Sequence, residues 1–155
     1  MDPYGTHQQA LIAAVMRTTG PVVEFGAGYY STPVLHEICG VQGRHLVTLE
    51  QDQEWIDRFT RFRADHHEVL LVEDWALSPA ADLTWSVALV DHAPAWARVG
   101  VLDRLWRSGT QFVVVHDTEG AVYSYEPVLA LYAHRKDFRE LTPWTTVVSN
   151  TCPIW

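Results

Sequence analysis

Apolar residues along this chain fall into short dense runs, separated by stretches in which they recur at helical spacing. Val22 to Phe25, His45 to Glu50, Glu68 to Val72, Trp85 to Val90 and Gln111 to Val115 are near-continuous runs of strand length. Runs of this kind mark strands buried on both faces. Helical spacing appears over Gln8 to Arg17, Thr32 to Cys39 and Ala97 to Trp106, and in a segment capped by Asp52 that carries Trp55, Ile56, Phe59 and Phe62. Gly20-Pro21, Gly40 and Ser108-Gly109 supply the stops. Strands alternating with helices imply a parallel sheet covered on both faces. The C-terminal part departs from this pattern: Tyr125 to Tyr132 reads as a helix, and Phe138 to Leu141 with Thr145 to Ser149, close together around Pro143, read as a terminal hairpin. The expectation is one α/β domain over residues 1–155, a doubly wound, mostly parallel seven-stranded sheet ending in an antiparallel hairpin.

Composition narrows the partners. A chain of 155 residues, 48% hydrophobic and 19% charged, is long enough to bury a sizeable core. The formal net charge of -8 argues against a broad phosphate-binding surface, because Lys and Arg supply most nucleic-acid affinity. A small-molecule or protein partner is expected instead of nucleic acid. Two cysteines, Cys39 and Cys152, cannot build a dense disulfide framework, so the compartment reads as reducing. With no leader-like segment and no apolar run near the roughly 20 residues that cross a bilayer, a soluble cytoplasmic protein without membrane contact is expected. Pro153-Ile154-Trp155, after the last strand pair, points to an apolar edge that a homodimer would cover.

Candidate chemistry lies just after the strands, where open α/β sheets bind ligands. The first strand runs into Gly26-Ala27-Gly28, then into Ser31-Thr32, which can cap the next helix. Glycines there let a ligand reach the main chain beside unpaired helix N–H groups. The second strand ends in Glu50, about 20 residues beyond the glycines, where a carboxylate can accept both hydroxyls of a ribose, with Gln51 next to it. The third is followed by Glu73-Asp74-Trp75, the fourth by Asp91-His92 and the fifth by His116-Asp117-Thr118-Glu119. Glu24 can meet a positively charged amino group at the strand exit, and Tyr29, Tyr30 and Trp75 can pack on apolar ligand faces. No histidine has a Cys/His zinc spacing, and His36, His45, His66, His67 and His134 read as structural.

On these residues the sequence resembles the class I S-adenosylmethionine-dependent methyltransferases. Val-Glu-Phe-Gly-Ala-Gly-Tyr-Tyr-Ser-Thr matches the family's first motif, Glu50 its ribose-binding acid, Asp74 the Asp that meets the adenine amino group, and Ala-Leu-Val-Asp-His its fourth motif. The Leu-Val-Asp-His and His-Asp-Thr stretches are most similar to small-molecule O-methyltransferases of the catechol and macrocin types. The resemblance implies S-adenosylmethionine as cofactor, held by Glu24, Gly26, Gly28, Tyr30, Ser31, Glu50, Gln51, Asp74, Trp75 and Asp91, and methyl transfer to a small acceptor, through oxygen. It also implies a Mg²⁺ on Asp91 and Asp117, against which stand Thr118 in place of the amide ligand and no lysine soon after Asp91.

Methyl transfer asks the protein to align a nucleophile and remove its proton. His92 and His116 are the candidate bases, with Asp117 beside them, because imidazole titrates near neutral pH. Two other readings stay open: a non-catalytic module that binds the same ligand, and a nicotinamide-dependent oxidoreductase. The latter is opposed by Gly-x-Gly-x-x-Ser, which lacks the third glycine.

Overall fold

The computed structural model describes residues 2–119 and 123–155. A sheet of seven strands forms its centre, in the order β3-β2-β1-β4-β5-β7-β6. β1 (Val22–Phe25), β2 (Leu46–Glu50), β3 (His67–Leu71), β4 (Val87–Val90) and β5 (Phe112–His116) are parallel. β7 (Thr145–Ser149) lies antiparallel between β5 and β6 (His134–Phe138). The expected terminal hairpin is therefore present, with its first strand four residues earlier than the apolar pattern placed it. His-Arg-Lys-Asp-Phe is a charged edge strand without a buried face, so it leaves no apolar run to read.

The first four strands are buried throughout except β3, which alternates, as expected of an edge. Side chains on one face (Val22, Leu46, Val87, Leu89, Phe112, Val114) pack against α1 (Gln8–Met16) and α2 (Thr32–Gln42). Those on the other (Val23, Phe25, Ala88, Val90, Val113, Val115) pack against α4 (Arg98–Ser108) and α5 (Glu126–Leu129). The helix capped by Asp52 is a short α3 (Gln53–Asp57), followed by a 3-10 turn over Thr60–Phe62. α2 runs past Gly40 and stops at Gly43, whose φ of 64° suits a glycine cap. α5 is half the expected length.

One expectation about coverage fails. β3 and β4 are joined by 3-10 turns (Trp75–Leu77 and Pro79–Asp82) where a parallel crossover ordinarily carries a helix. Trp75, Ala80, Ala81 and Trp85 fill that layer near β1, but toward the β3 edge an apolar groove of about 750 Å³ stays open, lined by Val47, Leu49, Leu70, Val72, Leu77 and Leu83. At the other end, Ile154 and Trp155 pack back on the α1/α2 face, with Arg17 over the Trp155 ring. The tail thus packs on its own chain, with Ile154 and Trp155 partly buried. No described helix is long and apolar enough to cross a membrane.

Candidate active site

Strand order reverses between β1 and β4, the neighbours at the centre of the sheet. Phe25 stands beside Val90, so the glycine turn leaving β1 and Asp91 leaving β4 emerge side by side, joined by the Asp91 N–H donating to the Phe25 carbonyl at 2.9 Å. Gly26 has a φ of 98°. A Cβ there would sit 2.7 Å from the His92 backbone, so only glycine allows β1 and β4 to part this closely.

A cleft of about 1120 Å³ opens at this point, lined by Ala27, Gly28, Tyr29, Tyr30, Glu50, Asp52 and Trp55 on one side. Asp91, Ala93, Arg98, His116 and Asp117 line the other. Asp2, Pro3, Tyr4, His7 and Pro143 form a roof.

Glu50 knits the first side together. One carboxylate oxygen accepts from the Gln51 and Asp52 N–H groups at 2.7 and 3.1 Å; the other accepts from the Ala27 N–H at 3.1 Å. A carboxylate has about four lone-pair directions, so the backbone takes most of them and leaves room for one ribose hydroxyl, not the pair expected. Gln51 uses its backbone on Glu50 and its side chain on the Glu73 carbonyl, outside the cleft lining. The Trp55 indole donates to the Ala27 carbonyl at 2.7 Å, fixing the glycine turn from above.

Glu24 is completely buried and does not line the cleft. One oxygen accepts from the Thr32 and Thr48 hydroxyls at 2.8 and 2.6 Å, and Thr32 Oγ accepts in turn from the Gly28 N–H. Its other oxygen has no partner. Burial pushes its pKa up to about 7, despite the hydroxyl hydrogen bonds that pull the other way. Ser31 makes no side-chain cap bond to α2; it is enclosed against Gly28, and its hydroxyl is among those that draw the Glu24 pKa down.

The acidic stretch after β3 does not join the cleft. Asp74 caps the Trp75–Leu77 turn by accepting from the Ala76 N–H, and faces the apolar groove. Trp75 is only 2% exposed, donates to the Ala93 carbonyl and stacks on His92 with ring centroids 4.0 Å apart. His92 is thereby enclosed at 1% exposure, its pKa lowered to about 3 by burial. It stabilises the β4 exit and has no path to a substrate proton, which removes it as a base. These are the main departures from the site expected: Asp74 is held by its cap, while Trp75 and His92 stack and remove each other's ring faces from the cleft.

On the opposite side the residues converge. The Arg98 guanidinium lies between the carboxylates of Asp91 and Asp117, at 3.1 and 3.3 Å. It is nearly buried and also donates to the His92 and His116 carbonyls. The cation shared by Asp91 and Asp117 is thus an arginine, and these two residues do not fit the Mg²⁺ expected of them. Asp117 reaches Arg98 from a φ of 57°, a costly conformation for a non-glycine residue and frequent at functional sites.

His116 has both ring nitrogens engaged. Nε2 lies 2.8 Å from Thr6 Oγ, which is 2.7 Å from the Pro143 carbonyl. That carbonyl can only accept, so it takes the hydroxyl proton and His116 Nε2 is the donor to Thr6. Nδ1 faces Asp91 at 3.2 Å and Asp117 at 3.6 Å. Burial draws the His116 pKa down, yet the hydrogen bond and charge of Asp91, with the charge of Asp117, leave it raised overall. Asp91 resists ionisation through burial, but His116 and Arg98 hold its pKa below the ordinary range.

His7 completes the group and was not anticipated from the sequence, where it sits in a polar lead-in segment. It is 2% exposed, and neither ring nitrogen has a partner. Nδ1 points at Asp91 from 4.0 Å, and its ring packs edge-on against His116 at 4.7 Å. Burial lowers its pKa to about 4, so it is neutral at physiological pH. Arg98 was missed as well, since an arginine opening an amphipathic helix ordinarily reads as solvated.

No protein-family model and no curated protein matches this sequence. Solved structures do resemble it. A SAM-dependent methyltransferase from Aquifex aeolicus superposes with a TM-score of 0.61 at 13% identity, over 94% of this chain and 89% of that one. The chain has the class I methyltransferase fold. An rRNA methylase from Streptococcus thermophilus gives 0.64 at 9% identity, over 96% of both chains. A precorrin-6y C5,15-methyltransferase from Geobacter metallireducens gives 0.57 at 15%, over 96% of this chain and 91% of that one. The named activities of these neighbours differ, so the fold is what they share with this chain.

Proposed function

We propose that this protein transfers a methyl group from S-adenosylmethionine to a small-molecule acceptor through an oxygen nucleophile. The observation that carries the proposal is the two-sided cleft at the switch point. A glycine turn tied to Glu50 forms one wall, and a buried titratable cluster faces it under a roof from residues 2–7. Its volume of about 1120 Å³ exceeds the roughly 300–1,000 Å³ of ordinary single-ligand pockets, which leaves space for cofactor and acceptor together. The roof and the net charge of -8 favour a small acceptor over nucleic acid.

In this reading the glycine-turn backbone and the α2 N-terminus hold the methionine end, Glu50 a ribose hydroxyl, and Tyr29, Tyr30 and Trp55 the apolar faces. When bound, the sulfonium supplies an electrophilic methyl group. The protein's part is to orient the acceptor hydroxyl beside His7, Asp91, His116 and Asp117 and to receive its proton there. Arg98 holds the two carboxylates in place.

Calorimetric titration with S-adenosylmethionine, S-adenosylhomocysteine and NADH tests the cofactor. Binding of the first two and not the third is expected; the reverse would replace the proposal with an oxidoreductase. Release of S-adenosylhomocysteine with a panel of hydroxylated small molecules, against an rRNA fragment, then tests the acceptor. Turnover on the RNA alone, or cofactor binding without turnover on anything, would overturn the small-acceptor reading.

A further inference from the structure

We propose that His7, Asp91 and His116 form a site for a divalent transition metal on the acceptor side of the cleft, resting on the functional reading above only for what the metal would do. One ligand atom from each lies within 4.8 Å of the others. The Asp91 oxygen is 3.2 Å from His116 Nδ1 and 4.0 Å from His7 Nδ1. Ligand atoms around a tetrahedral ion with bonds of about 2.0–2.1 Å stand roughly 3.3 Å apart, so closing the longest separation, within 4.8 Å, asks for a shift of up to about 1.5 Å. His7 can make it, because no hydrogen bond holds its ring.

Two features argue that the cluster is built for a metal and is not a chance meeting. Buried side-chain nitrogens nearly always have partners, and neither nitrogen of His7 has one, although the residue lines the cleft. The other two ligands are already oriented as metal ligands are, through their remaining atoms. Thr6 holds His116 by Nε2 and leaves Nδ1 turned inward, while Arg98 holds Asp91 by Oδ1 and leaves Oδ2 turned inward. Two imidazoles and one carboxylate select a borderline ion such as Zn²⁺, Co²⁺ or Fe²⁺ over Mg²⁺, which prefers oxygen. The metal takes the Nδ1 lone pair of His116 in place of a proton. Its fourth position faces the cleft, where an acceptor hydroxyl would bind and become more acidic.

The test uses the full chain without cofactor, titrated with Co²⁺ and followed by its visible d–d absorption, and with Zn²⁺ by calorimetry. One equivalent is expected to bind, with intense tetrahedral-type Co²⁺ bands. His7→Ala should weaken binding by at least about tenfold, and so should Thr6→Val, which keeps all three ligands and removes only the partner that orients His116. His45→Ala, at an exposed ion pair with Glu68, should change nothing. Retained binding in both His7→Ala and Thr6→Val, or no binding by the wild type, overturns the site. Circular dichroism establishes that each variant is folded, and Thr6→Val carries the test should His7→Ala unfold. S-adenosylmethionine titrations run in parallel keep the outcomes apart: metal loss with cofactor binding intact sinks this inference alone, and the converse sinks the cofactor reading alone.

Discussion

Glu50→Gln isolates the role of one carboxylate at nearly constant volume. In the wild type its two oxygens accept from three backbone N–H groups, those of Ala27, Gln51 and Asp52, at 7% exposure. An amide has one accepting oxygen. If it serves Gln51 and Asp52, its NH₂ meets the Ala27 N–H donor to donor. A buried N–H left without an acceptor costs about 1–3 kcal/mol, and the two retained bonds lose their charge assistance. A loss of about 2–4 kcal/mol in unfolding free energy is expected, a lowering of the midpoint by roughly 4–16 °C for a domain of this size. Because Ala27 belongs to the glycine turn, cofactor affinity should fall too, by at least about tenfold. Urea unfolding and calorimetry on the same preparation measure both. Unchanged stability would mean that the three N–H groups find water as good a partner, and the argument that Glu50 organises the turn would be wrong.

Two further substitutions probe the strand exits. Glu24→Gln should flatten the pH dependence of stability: a folded pKa near 7 against an ordinary 4.5 means the folded state holds the extra proton, so wild-type stability falls as pH rises between those values. Urea midpoints from pH 4 to 8 check this, and parallel curves for the two proteins would refute the buried-carboxylate assignment. Gly26→Ala should cost at least about 2 kcal/mol, since its Cβ would meet the His92 backbone at 2.7 Å from a φ of 98°. A near-normal denaturation midpoint would show that β1 and β4 can separate freely.

The sequence was most readable where one signal dominated. Val22–Phe25 stands where its apolar run placed it, and the glycine turn and Glu50 are both at the cleft because strand exits in such a sheet are fixed by topology. Legibility failed where a neighbour from elsewhere in the chain decided the outcome. Trp75 and His92 follow the right strands, but each found the other and left the cleft. His7 carries no local mark of function; its place depends on Thr6 meeting residues 110 and 137 positions away. The charged strand His134–Phe138 was shifted in register because it has no apolar face to align it. The missing helix between β3 and β4 could have been read from the spacing of Pro79 and Ala80-Ala81, which is too broken for a helical stripe.

The fastening of Thr6 to Pro143 also sets an order of events during synthesis. The five parallel strands, the glycine turn and Glu50 have all been synthesised once His116 has left the ribosome. The short bond from the Thr6 hydroxyl to the Pro143 carbonyl cannot form until Pro143 follows, and β7 must still slide in beside β5. A nascent chain would therefore gain the wall proposed for the cofactor before the wall proposed for chemistry. Ribosome-stalled chains ending before and after Pro143 would separate the two acquisitions in time.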